Sequence, residues 1–156
     1  MSVSWGVIPS QPQISDFCDW LIEAGLKVPP STGRYPTLEE LRQVLSSLHV
    51  IPIQEEAYDD SSYSISIGEP YSEQYAHLLG SVQENQFHFH FCDSGCRPIT
   101  MMEILKRLSF FCGPLVLYES YAATPIIIAS ATDLDEALND WLKRIPGSGT
   151  PIRSFR

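Results

Sequence analysis

Apolar and polar residues alternate most regularly along Gln86-Phe-His-Phe-His-Phe-Cys92. Side chains of a strand point to opposite faces in turn. Phe87, Phe89 and Phe91 therefore share one face, and His88, His90 and Cys92 the other. Aromatic residues suit a pleated, half-buried surface, so the pattern predicts a central strand over residues 82–92 with its phenylalanine face on the core. Further strands are predicted at residues 2–8, at Val50–Ile53 (an edge, interrupted by Pro52), at Tyr63–Ile67, at Leu115–Glu119 and at Ile126–Ala129. The last two read as a hairpin turning at 121–124, and the almost wholly apolar Ile126 strand is expected to be buried on both faces.

Helical spacing marks four further segments. Ser15 reads as the N-cap of a helix whose stripe is Phe17, Leu21 and Ala24, stopped by Gly25. Thr37-Leu-Glu-Glu40 is a capping box ahead of Leu38, Leu41, Leu45 and Leu48. Thr100-Met-Met-Glu103 has the same form, with Ile104, Leu105, Leu108 and Phe111 behind it and Gly113-Pro114 as the stop. Thr132-Asp-Leu-Asp135 opens the last helix, where Leu134, Ala137, Leu138, Trp141, Leu142 and Ile145 form the stripe and Lys143 and Arg144 suit the C-terminal dipole. Residues 27–36 read as a loop. Residues 55–62, with Glu55, Glu56, Asp59 and Asp60, read as an exposed turn, and 72–79 fits a short helix and a strand equally well. Strands and helices do not alternate strictly. The expectation is a single α+β domain over residues 1–146, a mainly antiparallel sheet with about four helices packed on it, followed by a flexible, locally basic tail at 147–156.

Composition narrows the functional classes. A chain of 156 residues with 44% hydrophobic and 19% charged residues suits one soluble domain with a sizeable core. The formal net charge is −9. Such a surface repels phosphate backbones and anionic lipid, which argues against nucleic-acid and membrane partners and suits a basic protein partner. The start of the chain lacks the basic and apolar regions of a signal peptide. A cytoplasmic protein with reduced thiols at Cys18, Cys92, Cys96 and Cys112 is therefore expected. Cys18 and Cys112 fall on helices, where a small buried residue is the ordinary explanation.

The sharpest candidate chemistry is the row His88, His90, Cys92, with Cys96 after the turn, as a metal centre. Residues at i and i+2 of a strand stand about 6.5–7 Å apart, so two imidazoles there can converge on one ion, and zinc accepts both nitrogen and sulfur. Against this, all four ligands come from one short stretch, and residues 88 and 92 are about 13 Å apart on a straight strand. An ordinary polar strand face explains the row more simply. Cys96, in Asp-Ser-Gly-Cys-Arg, is also weighed as a nucleophile beside Arg97, but the helix cap at Thr100 lies too far along to lower its pKa. His49 and His77 show no evident partner, and the acidic stretch 55–60 does not match a calcium loop. The chain holds no Walker loop, no G-x-G-x-x-G and no G-x-S-x-G, which leaves no positive case for an enzyme. Tyr58, Tyr63, Tyr71, Tyr75, Tyr118 and Tyr121 fall at strand edges and turns and suit an interface. The leading expectation is a non-enzymatic interaction or regulatory module, of the kind of small bacterial immunity proteins, binding through an acidic, tyrosine-bearing surface. The alternatives are a metal site at His88 and His90, and a small-molecule module with its ligand between the sheet and the helix at 101–112. Self-association through a sheet edge is compatible with each.

Overall fold

The computed structural model describes residues 4–92 and 95–146. Among them are seven strands: β1 (Trp5–Pro9), β2 (Ile53–Ala57), β3 (Ser62–Ile67), β4 (Ala76–Gln83), β5 (Gln86–Phe91), β6 (Leu115–Glu119) and β7 (Pro125–Ile128). The four helices are α1 (Ser15–Glu23), α2 (Leu38–Ser47), α3 (Pro98–Cys112) and α4 (Leu134–Arg144). The strands form one sheet in the order β2-β3-β4-β5-β1-β6-β7, with every neighbouring pair antiparallel. The α+β class with an antiparallel sheet and four helices is the one the sequence predicts. Residues 147–156, read as a tail, lie outside the described residues.

The phenylalanine row does what its spacing requires. Phe87, Phe89 and Phe91 are buried on the inner face beside Trp5, Val7, Ile65, Leu78, Leu115 and Leu117. That face is covered by Leu41, Val44 and Leu45 of α2, by Met101, Ile104, Leu105 and Leu108 of α3, and by Leu138, Trp141 and Leu142 of α4. Burying one such large apolar side chain is worth ~1.5–3 kcal/mol, so this three-helix layer dominates the core. On the outer face a smaller cluster joins Phe17 and Leu21 of α1 to Val116, with Ile8 and Ile127 packed against it. β7 is thus buried on both faces, as expected, although it is an edge strand.

Several boundaries differ from the sequence expectation for identifiable reasons. The predicted central strand is a hairpin of two strands, turning at Glu84 and Asn85 with φ of 51° and 64°. Two successive positive φ values make the tight turn whose twist matches antiparallel strands, and the ambiguous segment 72–79 enters β4. Of the acidic stretch read as an exposed turn, Glu55, Glu56 and Ala57 belong to edge strand β2, every residue of which is exposed, while residues 58–61, with Asp59 and Asp60, do turn into β3. α3 begins at Pro98 with Arg97 as N-cap, so Thr100 and Glu103 lie inside the helix and form no capping box. Proline's fixed φ favours the first helical position, and it overrides the later cap signal. α1 starts at Ser15 itself, with Ile14 as the cap. At Thr37 both hydrogen bonds of the predicted capping box are present, and Gly113 ends α3 with a φ of 73°.

The chain crosses from the outer to the inner face through the sheet itself. Among the described residues β1 pairs with β5 at Trp5–Phe91 and Gly6–His90 alone, and beyond Gly6 the strands diverge. Residues 33–36 fill the wedge. Gly33 N donates to Ser10 O, Arg34 N to Cys112 O, and Phe87 N to Pro36 O. The Tyr35 ring lies 4.3 Å from the His88 ring and 6.4 Å from that of Phe89, while its hydroxyl donates to Val7 O at 2.7 Å. α1 therefore stays over β1, β6 and β7, α2 starts on the opposite side, and the outer face of β2–β5 is left to polar side chains.

Candidate functional site

The register of the central hairpin builds this outer face. Gln83 pairs with Gln86, and each step outward adds a pair: Ser81 with His88, Leu79 with His90. One step past the ladder Cys92 N donates to His77 O at 2.9 Å. On the other side of β4, Ser66 pairs with His77 and Ser64 with Leu79. Residues paired across strands share a face, so His77, His88, His90, Cys92, Ser64 and Ser66 form one polar field.

His77 stands at its centre. Its Nε2 is 2.7 Å from Ser64 Oγ and its Nδ1 is 3.3 Å from Cys92 Sγ. Neutral imidazole has one donor and one acceptor nitrogen. The ring either accepts from the thiol and donates to Ser64, or the reverse. Its main chain is held as well: His77 N donates to Cys96 Sγ at 3.2 Å, and Cys96 Sγ donates to Cys92 O at 3.0 Å. Ser64 is 9% exposed, so the ring is anchored on its buried side, while His77 and Cys92 are half-buried.

The residues of the predicted metal row are placed differently from one another. His88 stacks on Tyr35, and His90 is half-buried, its pKa lowered first by burial and then by the nearby His77. Cys92 faces His77, and Cys96 is buried with its sulfur on main-chain groups. Among the described residues, no group of three or more His, Cys, Asp or Glu side chains is placed to hold a metal ion. His49 is exposed at the end of α2 with a φ of 56°. Cys18 is half-buried rather than buried, and its thiol donates to Pro12 O at 3.2 Å. Cys112 is buried as expected, and burial pushes its pKa up to about 12. Among the described residues no disulfide joins any of the four cysteines. His77 is the residue at the centre of this field that the sequence reading leaves without a partner. Its signal is the two-residue turn, because a pair closing at Gln83 and Gln86 places His77 opposite Cys92.

A cleft of about 730 Å³ opens on the outer face between β2, β3 and the connection that leads into β4. His77, Ser64 and Ser66 lie on its floor side, and Gln54, Glu56, Tyr58, Glu69 and Pro70 are among its walls. The space between the sheet and α3, by contrast, is filled by side chains such as Met101, Met102 and Ile104, none of which is exposed. Charge is segregated in the same way. Residues 43–96 contain Glu55, Glu56, Asp59, Asp60, Glu69, Glu73, Glu84 and Asp93, and not one Lys or Arg. This stretch includes all of β2, β3, β4 and β5. The rest of the chain has eleven carboxylates against ten Lys and Arg, so nearly all the net charge falls in the stretch that supplies β2–β5, whose outer face no helix among the described residues covers; Arg42, bonded to Glu55, and Arg97, held on Ser72 O, approach it from outside that stretch. Tyr58 is exposed at the cleft and Ile51 and Tyr71 on the connections of this half, while Ile53 is exposed on the face of β2 that it shares with Glu55. Tyr75 is buried, Tyr63 packs against the core, and Tyr121 is exposed with its hydroxyl on Pro146 O. No family model, curated protein or solved structure matches this chain.

Proposed function

We propose that the protein is a non-enzymatic interaction module, regulatory or immunity-like, that binds a basic protein through the acidic, tyrosine-edged half of its sheet. The observation that carries this reading is the coincidence of two independent features: the Lys- and Arg-free stretch and the half-sheet without a covering helix. A field of one sign over a concave surface raises the encounter rate with an oppositely charged partner and makes it depend on salt. Exposed Tyr58, Tyr71 and Ile51 supply the apolar area that charge alone does not. Edge strand β2 presents Glu56 and Gln54 toward the cleft, while Glu55 turns to α2, where Arg42 holds it with two hydrogen bonds of 3.0 and 2.7 Å.

The test is affinity capture from the source cell with three baits: the wild type, the variant Glu56→Lys/Asp60→Lys/Glu69→Lys, and the control Asp16→Lys/Asp19→Lys on α1. The reading expects a basic protein retained by the wild type and the control, released by salt, and lost with the triple variant. Retention of the same proteins by all three baits, or of no basic protein by any, overturns it.

A further inference from the structure

We infer that Cys92 is a nucleophilic thiol, with His77 as its base, that accepts an acyl group from an ester or thioester carrying a cationic substituent. The interaction reading does not use this pair, and neither proposal depends on the other. A thiol becomes a nucleophile when a base is held against it and the base is itself oriented by a third group. Here the base nitrogen is 3.3 Å from Sγ, and the opposite ring nitrogen is fixed 2.7 Å from a buried serine hydroxyl. The main-chain bond from Cys92 N to His77 O locks the two residues in register. The approach therefore comes from the sheet and not from a chance rotamer.

The groups around the pair decide what it can take up. The groups on this face around His77 are Ser64 and Ser66 from β3, Cys92 and His90 from β5, and Glu56 and Glu69 across the cleft. His90 is held toward its neutral form and adds no competing positive charge. The carboxylates bear on the choice of substrate. The cleft opens on the Ser64 side of the His77 ring and Cys92 stands on the other side, so a substituent of the acyl group reaches the cleft across the imidazole, where the acidic walls repel a phosphate and accept a cationic group. In the step itself the thiol proton passes to His77 Nδ1 and Sγ attacks the carbonyl carbon. A carbon–sulfur bond forms, the bond to the leaving oxygen or sulfur breaks, and the proton on His77 passes to that leaving group. No oxidant or further reactant is required. Cys96, buried and engaged with main-chain groups, positions the pair and does not compete with it.

The experiment uses the wild-type chain with the p-nitrophenyl esters of amino-blocked lysine and amino-blocked glutamate, followed by peptide mass mapping. The expected result is one acyl group per chain, on Cys92, formed roughly tenfold faster than on the half-buried Cys18 of the same molecule. The lysyl ester should react faster than the glutamyl ester. In His77→Gln, with folding checked by circular dichroism, acylation of Cys92 should slow by about 10²-fold. Acylation of Cys92 no faster than Cys18 in the wild type overturns the proposal even if no variant folds. An unchanged rate in folded His77→Gln overturns the role of the base, and equal rates with the two esters overturn the cationic preference.

Discussion

Tyr35 is the point at which the two halves of the sheet are joined, and truncating it tests that assignment. Among the described residues β1 and β5 share two paired positions, so the seam between the open half and the helix-covered half relies on what fills the wedge. The ring stands against His88 and Phe89, and its hydroxyl donates to the Val7 carbonyl at 2.7 Å. Its pKa is raised, chiefly by burial. Tyr35→Phe keeps the ring and removes only that donor, which should cost about 1 kcal/mol, the usual worth of one hydrogen bond whose acceptor then lacks its partner. Tyr35→Ala removes the ring as well. A fully buried aromatic costs ~3–5 kcal/mol on truncation to alanine, and because this ring is half-buried, roughly 2–3 kcal/mol is expected. Urea unfolding followed by both tryptophan fluorescence and far-ultraviolet circular dichroism measures both changes. Amide exchange should show lost protection at Trp5, Gly6 and Phe91 in Tyr35→Ala before any loss in α3. A Tyr35→Ala variant within about 0.5 kcal/mol of the wild type, the range of an ordinary surface change, with the seam amides still protected, would refute the reasoning.

Two further outcomes follow from particular contacts. His90 has a pKa below the ordinary 6.5 in the folded chain, so the unfolded chain binds its proton first and stability is lost as the pH falls below that value. Thermal melts between pH 7.5 and 5.5 should show this decline and His90→Gln should flatten it, whereas an equal slope in both proteins would contradict the assignment. Glu40 and Glu55, with pKa values lowered by their arginine partners, add losses only at more acidic pH, below about 4.5. At Gly6 an added Cβ would fall within the Tyr118 ring, which is itself held edge-on to Trp20 at 5.3 Å. Gly6→Ala should therefore cost ~1–3 kcal/mol by overpacking, and the cost should shrink in a Tyr118→Ala background, a coupling that a double-mutant cycle reads directly.

The parts of the fold visible in the sequence are those that one local rule decides. Phe87, Phe89 and Phe91 on one face, the capping box at Thr37, the stop at Gly113 and the stripe from Leu134 to Ile145 each depend on spacing within a few residues. The misses arise where two rules compete or where partners are distant. Pro98 and Thr100 both signal a helix start, and the proline prevails. The acidic run from Glu55 reads as a turn because carboxylates are rare in strands. On an exposed edge they are instead the ordinary guard against edge-to-edge pairing. For the site, the face shared by His88, His90 and Cys92 was legible, but the partner of Cys92 was not. His77 lies fifteen residues away in sequence, and only the turn at Glu84 and Asn85, if assigned first, brings the two together. The passage of residues 33–36 through the sheet had no sequence signal, since its hydrogen bonds go to Ser10, Cys112 and Gln86 on three separate elements.

That passage also accounts for the division of labour within the sheet. Once the chain has gone through the wedge at Tyr35, α2, α3 and α4 can all pack on the inner face, and α1 alone remains outside, over β1, β6 and β7. The outer face of β2–β5 then has to be compatible with water, which its serines, histidines and carboxylates achieve. Solubility alone would be met equally well by mixed charges, as on the rest of the chain, where eleven carboxylates stand against ten Lys and Arg. A stretch of one sign instead carries a cost in self-repulsion, which Arg42 relieves at Glu55 alone of the carboxylates on β2. A basic partner removes that cost on binding, and a mixed surface would offer it no such gain. On the proposed reading, the absence of Lys and Arg from residues 43–96 answers to what the half-sheet meets rather than to the water it faces.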